Sequence, residues 1–289
     1  MKKNISMKSS LVAAAAVAVG TLSTEVHAIL IAYEGFSTPA AYTAGTDLAT
    51  QTGDGIGWTS NWSNTLANGS SGVVTSESSS LTYSTLPTTA GSAVGPTSGN
   101  TRVDTYTRSF SLGFSPTDGD EVWMSALVDL TTDGDRGWQV ALSNTNTFGS
   151  GVGFGASNGN AQTVAARIQG QSGSVVANNV GVNFYVARTS FTSGNPVVDV
   201  WVNPALTEDL ASVAVGGGDS TFTRSYGAVG SISNVVFYSH QDNRIVYDEI
   251  RIGTTQQDVG ITAIPEPSVY AAAFAIGALG VVMIRRHKI

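Results

Sequence analysis

Apolar residues in this sequence recur at every second position, in short runs broken by Gly, Asn, Ser, Thr and Asp. In Val122–Leu130, the residues Val122, Met124, Ala126, Val128 and Leu130 share one parity. In Val197–Asn203, Val198, Val200 and Val202 share one parity, and Asp199 and Asn203 the other. Side chains of an extended strand alternate between faces, so this is the pattern of half-buried strands. No long segment between 29 and 264 carries the period of an amphipathic helix. Strands are predicted at Ile29–Glu34, Val103–Phe110, Val122–Leu130, Trp138–Leu142, Val164–Ile168, Val182–Arg188, Val197–Val202, Ile232–Tyr238 and Ile245–Ile252. Many short strands joined by polar turns predict an all-β fold: a two-sheet antiparallel β-sandwich of the jelly-roll kind. Thr85–Asn100, rich in Gly, Pro, Ser and Thr, predicts a surface loop.

Composition narrows the chemistry. The 289 residues suit one large all-β domain, and 42% hydrophobic residues can fill its core. With no cysteine there is no disulfide, thiol nucleophile or thiolate metal site. All four lysines (Lys2, Lys3, Lys8, Lys288) lie at the chain ends. The body from Ile29 to Ile264 has eight arginines against 19 carboxylates, a formal charge of −11. Such a surface repels phosphate backbones, which argues against nucleic acid as a partner.

Both ends read as addresses. Lys2, Lys3 and Lys8 precede an apolar run, Leu11–Leu22, and then Val26-His27-Ala28, an A-x-A-like cleavage site. This predicts a signal helix within 1–28, engagement of the Sec translocon, cleavage by signal peptidase after Ala28, and a mature start at Ile29. The run is shorter than the roughly 20 residues that a membrane span needs. At the other end, Pro265-Glu266-Pro267 and Ser268 precede an uncharged run, Val269–Ile284, and the basic cluster Arg285, Arg286, His287, Lys288. A helix over 269–284 is just short of a ~30 Å hydrocarbon core, and the flanking basic side chains can snorkel across the difference. Their placement puts the C-terminus in the cytoplasm and the body outside.

That order of elements resembles the PEP-CTERM sorting signal of Gram-negative bacteria, over about the last 25 residues. The resemblance implies that Pro265, Glu266 and Pro267 are recognised and processed by an exosortase-type membrane enzyme. The expected organisation is signal peptide 1–28, β-sandwich 29–263, and sorting segment 264–289 with a transmembrane helix at 269–284. The protein would be inner-membrane anchored before processing, then at the outer surface or extracellular.

Three further stretches resemble PEP-tailed surface proteins with a concanavalin/LamG-like jelly-roll domain. They are Tyr33-Glu34-Gly35-Phe36 with Gly55-Ile56-Gly57-Trp58 and Trp62; Asp199-Val200-Trp201-Val202-Asn203-Pro204; and Asp248-Glu249-Ile250-Arg251-Ile252-Gly253-Thr254 with Val259. The resemblance implies a two-sheet sandwich whose first and last strands are neighbours. It implies no defined activity, because the jelly roll hosts binding modules and enzymes alike.

Candidate chemistry is sparse. His240 is the one histidine left once the ends are removed, so a Ser-His-Asp triad would have to use it; it reads as a loop residue after a strand. The E-x-D-x-x-E and E-x-D-x-E carboxylate patterns of sandwich glycosidases are absent. Asp118-Gly119-Asp120-Glu121 reads as a solvated turn, and Asp133-Gly134-Asp135 is an incomplete Ca²⁺-loop pattern. Strict alternation along Ile245–Ile252 puts Asp248 on the apolar face with Val246, Ile250 and Ile252, and Glu249 opposite with Tyr247 and Arg251. A carboxylate there needs partners: an arginine, backbone N–H groups, or a structural Ca²⁺ ion. Trp123 and Trp201 lie inside strands and can cover the sandwich. Trp58 and Trp62, in a Gly/Asn/Ser-rich region, are the more exposed pair, and either pack into the body or stack on a sugar. The expectation is a non-enzymatic surface or exopolysaccharide-matrix protein. The rival is a carbohydrate-binding module, with or without a structural Ca²⁺ ion, whose partner is a polysaccharide.

Overall fold

The computed structural model describes residues 28–37, 42–64, 73–75, 80–94, 103–130, 137–145, 151–156, 163–176, 180–192, 195–216, 219–224, 231–240 and 245–262. The expected signal helix, Pro265-Glu266-Pro267, the 269–284 span and Asp133-Gly134-Asp135 lie outside these residues. Among the described residues, no helix is long and apolar enough to cross a membrane.

Among the described residues fifteen strands follow one another: β1 (Leu30–Glu34), β2 (Ser63–Asn64), β3 (Val73–Thr75), β4 (Ser92–Val94), β5 (Val103–Phe114), β6 (Glu121–Asp129), β7 (Trp138–Ser143), β8 (Val152–Gly155), β9 (Ala165–Ile168), β10 (Gln171–Ser172), β11 (Val182–Ser190), β12 (Val197–Val202), β13 (Ser220–Thr223), β14 (Ile232–His240) and β15 (Val246–Gly253). An eight-stranded sheet runs β13-β12-β11-β6-β15-β4-β3, with β1 also paired to β15. A seven-stranded sheet runs β10-β9-β8-β7-β14-β5-β2. The pairings in both sheets are antiparallel. The expected two-sheet sandwich is present. Its first and last strands are neighbours, with Ala32 opposite Ile252, Tyr33 opposite Arg251 and Glu34 opposite Ile250.

The core lies between the sheets. Val122, Met124, Ala126, Val128 and Leu130 all face it, as their parity requires, and Val198 and Val200 do so from β12. Each large apolar side chain removed from water there contributes roughly 1.5–3 kcal/mol. The opposite parity is not left to water. Trp123 and Leu127 of β6, Phe184 and Val186 of β11 and Trp201 of β12 form a second apolar layer on the outer face of the eight-stranded sheet. Loop residues Leu81, Leu86, Leu210, Val259 and Ile261 roof it. This layer corrects the reading of Thr85–Asn100 as surface loop throughout. Leu86 is buried in the roof, and Ser92–Val94 is β4, bonded to both β3 and β15; residues 95–100 lie outside the described set.

His240 is the last residue of β14, opposite Val103, rather than a loop residue. Asp118-Gly119 forms the expected turn, with Gly119 at φ 94° and the Asp120 carboxylate accepting from the Thr117 N–H at 2.7 Å and hydroxyl at 2.8 Å. Those bonds favour the charged form and hold the Asp120 carboxyl below its ordinary range.

Candidate functional site

The strand that closes the sandwich carries its most unusual chemistry. In β15 the register against β6 slips between Asp248 and Arg251, and Glu249 sits at φ 52°, in the left-handed region. One extra residue in a strand places two consecutive side chains on one side. Tyr247, Ile250 and Ile252 therefore face the inter-sheet core. Asp248 and Glu249 both turn to the outer face, where Val246 packs. The strict alternation that grouped Asp248 with Ile250 and Ile252, and Glu249 with Tyr247, is corrected by this bulge.

Asp248 and Glu249 are both fully buried. Asp248 lies opposite Leu127, under the loop carrying Leu81. Its Oδ2 accepts from the Leu81 N–H at 3.0 Å and its Oδ1 from the Glu249 N–H at 2.8 Å. Burial, and then the negative charge of Glu249, push the Asp248 carboxyl up to about 9 despite these two bonds. Of the partners considered for Asp248, backbone N–H groups are the ones present. Each Asp248 oxygen thus accepts one backbone N–H, which is the second of those partners rather than an arginine. Among the described residues, no group of His, Asp and Glu side chains is arranged to hold a metal ion.

Glu249 is held by side chains on two other segments. Tyr33 donates its hydroxyl at 2.9 Å, the Thr89 N–H donates at 2.6 Å, and the Arg251 guanidinium pairs with it at 2.8 Å. Arg251 also donates to the Pro87 carbonyl at 2.5 Å and lies over the Tyr33 ring, 5.3 Å from its centroid. Burial pushes the Tyr33 hydroxyl up to about 12. Above this group opens a shallow cleft of about 270 Å³, lined by Leu30, Tyr33, Pro87, Thr88, Thr89, Arg251 and Asp258.

On the inner face of β1, Glu34 is closed in the same way. Arg108 of β5 pairs with it, the Tyr42 hydroxyl donates at 2.7 Å, and the Phe36 N–H at 2.8 Å. Burial outweighs the attraction of Arg108 and pushes the Glu34 carboxyl up to about 7. Arg108 in turn stacks on Trp58 at 4.9 Å and Trp62 at 5.8 Å.

This arrangement decides what the tryptophans do. Trp62 is 2% exposed and donates to the Tyr42 hydroxyl at 3.1 Å, which corrects the expectation that it belongs to an exposed pair. Trp58 is half-buried, donates its indole N–H to the Tyr33 carbonyl at 2.7 Å, and stacks under Arg108. Arg108 lies over a face of each ring, and Phe110 and Phe237 pack beside Trp58 and Trp62. Trp123 and Trp201, inside strands as expected, stack on each other at 5.7 Å beneath Arg188 in the outer layer.

Two of the stretches singled out by resemblance meet in space, Tyr33-Glu34-Gly35-Phe36 at the end of β1 and residues 248–253 on β15, whereas Asp199-Val200-Trp201-Val202 lies on β12, with β11 and β6 between it and β15. Gly55 and Gly57 bring their loop against β1; a Cβ on Gly57, at φ 80°, would lie 2.0 Å from the Ile31 carbonyl oxygen. Sequence reasoning did not assign roles to Glu34, Arg108, Glu249, Arg251, Thr89 or Asp258. The available signal was the polar pair Asp248-Glu249 interrupting an alternating strand. Ala28, the expected cleavage residue, is exposed just before β1.

No family model matches the sequence, and no curated protein matches it. Among solved structures, the chain is similar to a protein of unknown function from Shewanella oneidensis MR-1, at 11% identity over 92% of this chain and 99% of that one, with a TM-score of 0.45. It is similar to the globular domain of T. cruzi calreticulin, at 10% identity over 80% and 90% of the two chains, TM-score 0.47. It is also similar to domain 4 of an extracellular arabinanase from Geobacillus stearothermophilus, in complex with arabinotriose, at 14% identity over 82% and 99%, TM-score 0.43. Likeness at this level transfers neither a residue nor a ligand nor an activity.

Proposed function

We propose that this protein is a non-enzymatic surface or extracellular-matrix component, exported through residues 1–28 and sorted through Pro265-Glu266-Pro267 by an exosortase-type enzyme. The observation that carries the reading is the closure of the sandwich by β1 on β15. Ile29 accepts a bond from the Thr254 N–H at 3.2 Å, so the β-body begins and ends at one place. Under this reading the described body is the exported part, and residues 1–28 and 264–289 serve as transport labels. The −11 charge of the body suits work outside the cytoplasm, away from nucleic acid. The buried carboxylates of Glu34, Asp248 and Glu249 are engaged by donors of the body itself, which is a structural use.

Mass spectrometry of the protein from its native host tests this. The expected mature chain starts at Ile29 and ends near Pro267. An uncut, soluble, full-length chain inside the cell sinks the reading.

The cleft over Tyr33, Thr89 and Arg251 favours a second reading, a carbohydrate-binding module, because it joins an aromatic edge to hydroxyl and guanidinium groups. A glycan array with the exported protein, and with Thr88→Trp to fill the cleft, separates the two. Binding that Thr88→Trp abolishes selects the module; an empty array at high micromolar protein selects the structural role.

A further inference from the structure

The expected cleavage point and one buried-edge carboxylate lie within hydrogen-bond distance of each other. The Ile29 nitrogen is 3.1 Å from Asp258 Oδ2 and 3.2 Å from Thr254 Oγ1. The same Asp258 oxygen accepts from the Thr254 N–H at 3.0 Å, the Thr255 N–H at 2.9 Å and the Thr255 hydroxyl at 2.9 Å. The donors to this oxygen among the described residues are all neutral. The charged side chain across the cleft, Arg251, is already tied to Glu249.

We infer that Asp258 is the receptor for the new N-terminus created by signal cleavage. Hydrolysis of the Ala28–Ile29 bond consumes one water: the Ala28 carbonyl carbon takes its oxygen and leaves as a carboxylate. The Ile29 nitrogen takes the protons and becomes an ammonium at neutral pH. In the precursor that nitrogen offers Asp258 one amide hydrogen; in the mature chain it offers a full positive charge with three donors. Ala28 is exposed and Ile29 is 49% exposed, so the bond is open to a peptidase and the product ammonium need not be carried into the body. Asp258 sits in the loop 254–258, which continues through buried Val259 and Ile261 to Thr262. Removing the first address therefore fastens β1 to the segment leading to the second.

The inference rests on cleavage after Ala28, and the test keeps the two apart. Beyond residue 28 the sequence has one lysine, Lys288, which leaves with the tail if the chain is cut near Pro267, so reductive ¹³C-methylation labels the Ile29 α-amine and at most that one side chain. The protein is exported through its own signal, purified, and its N-terminus read by mass spectrometry. The labelled amines are then titrated by NMR in the folded chain, in urea, and in Asp258→Asn. Because the folded amine gains an anionic partner, its pKa should lie at least about half a unit above its value in urea, which is near the ordinary 7.7–8.0. The extra stability is then present below the unfolded value and lost as pH rises through the folded one. Asp258→Asn should remove the elevation. Equal values in folded and unfolded wild type, or an elevation that survives in a folded Asp258→Asn, overturn the receptor while leaving the cleavage reading intact. The folded-versus-urea comparison needs no variant to fold. A mature chain starting anywhere but Ile29 overturns both.

Discussion

Asp248 and Glu249, consecutive in β15, lie on the same face of the sheet, both fully buried. Such a pair persists only where each carboxyl has its own set of donors. Asp248 takes two backbone N–H groups; Glu249 takes Tyr33, Thr89 and Arg251. Both sets draw on the 81–89 stretch, through Leu81 and Thr89, and Glu249 adds β1 through Tyr33, so the bulge fixes that stretch and β1 against β15 at once.

Stability of the folded chain should fall as pH rises. Asp248, pushed up to about 9, and Glu34, pushed up to about 7, hold their protons in the folded state beyond the unfolded values of about 3.9 and 4.3. Their favourable contribution is complete below those unfolded values and is lost as pH climbs toward the folded ones. Urea unfolding between pH 5 and 9 should show a declining free energy, with Asp248→Asn flattening the upper part of the slope and Glu34→Gln the lower. A slope unchanged in both variants contradicts the assignment.

Glu249→Ala should destabilise the protein by about 3 kcal/mol, because Arg251 keeps its charge and loses its partner. Glu249→Met combined with Arg251→Met should cost less than the two single changes added together. A double-mutant cycle by chemical denaturation measures the coupling.

How much of this could be read from the chain depends on whether a residue answers to a local rule. Parity placed Val122, Met124, Ala126, Val128 and Leu130 correctly, since period two is a property of the strand itself. Parity failed at Asp248, because a bulge shifts the phase by one and only the partner strand records it. It also hid the outer layer: Trp123 and Trp201 are apolar on the polar parity, and what covers them comes from loops distant in sequence. The Glu34–Arg108 pair spans 74 positions and has no spacing rule to betray it. Trp62 was misjudged because Gly/Asn/Ser-rich surroundings describe its neighbours in sequence, whereas Tyr42, Phe36 and Phe237 surround it in space.

Gly57→Ala should cost about 2 kcal/mol or more, since φ 80° is poorly tolerated with a Cβ and that atom would strike the Ile31 carbonyl. Gly45→Ala, at φ 76° in open space, carries the backbone cost alone and should be milder. Comparing their denaturation midpoints separates close approach from conformational strain.

Melting of the exported protein should be the same in EDTA and in Ca²⁺. An ion bound at a hundred times its Kd adds about 2.7 kcal/mol, a Tm shift of roughly 5–10 °C for a domain of this size. Asp248 already has a backbone N–H on each oxygen, and among the described residues no further carboxylate or histidine joins it in a metal-holding group. A chelator-induced drop of that size would place a metal elsewhere in the chain.

Trp62→Ala should lose about 3–5 kcal/mol of stability, as expected for removing a fully buried ring. The ring is packed 4.9 Å from Phe237 and 5.8 Å from Phe36, and it carries part of the Arg108 stacking surface. Trp62→Phe should recover part of the packing and lose the bond to the Tyr42 hydroxyl, giving an intermediate midpoint. If glycan binding is found, a folded Trp62→Phe should leave its affinity unchanged, because no ligand reaches a side chain 2% exposed. Lost affinity in a variant with a native-like melting curve would instead put Trp62 in the binding surface.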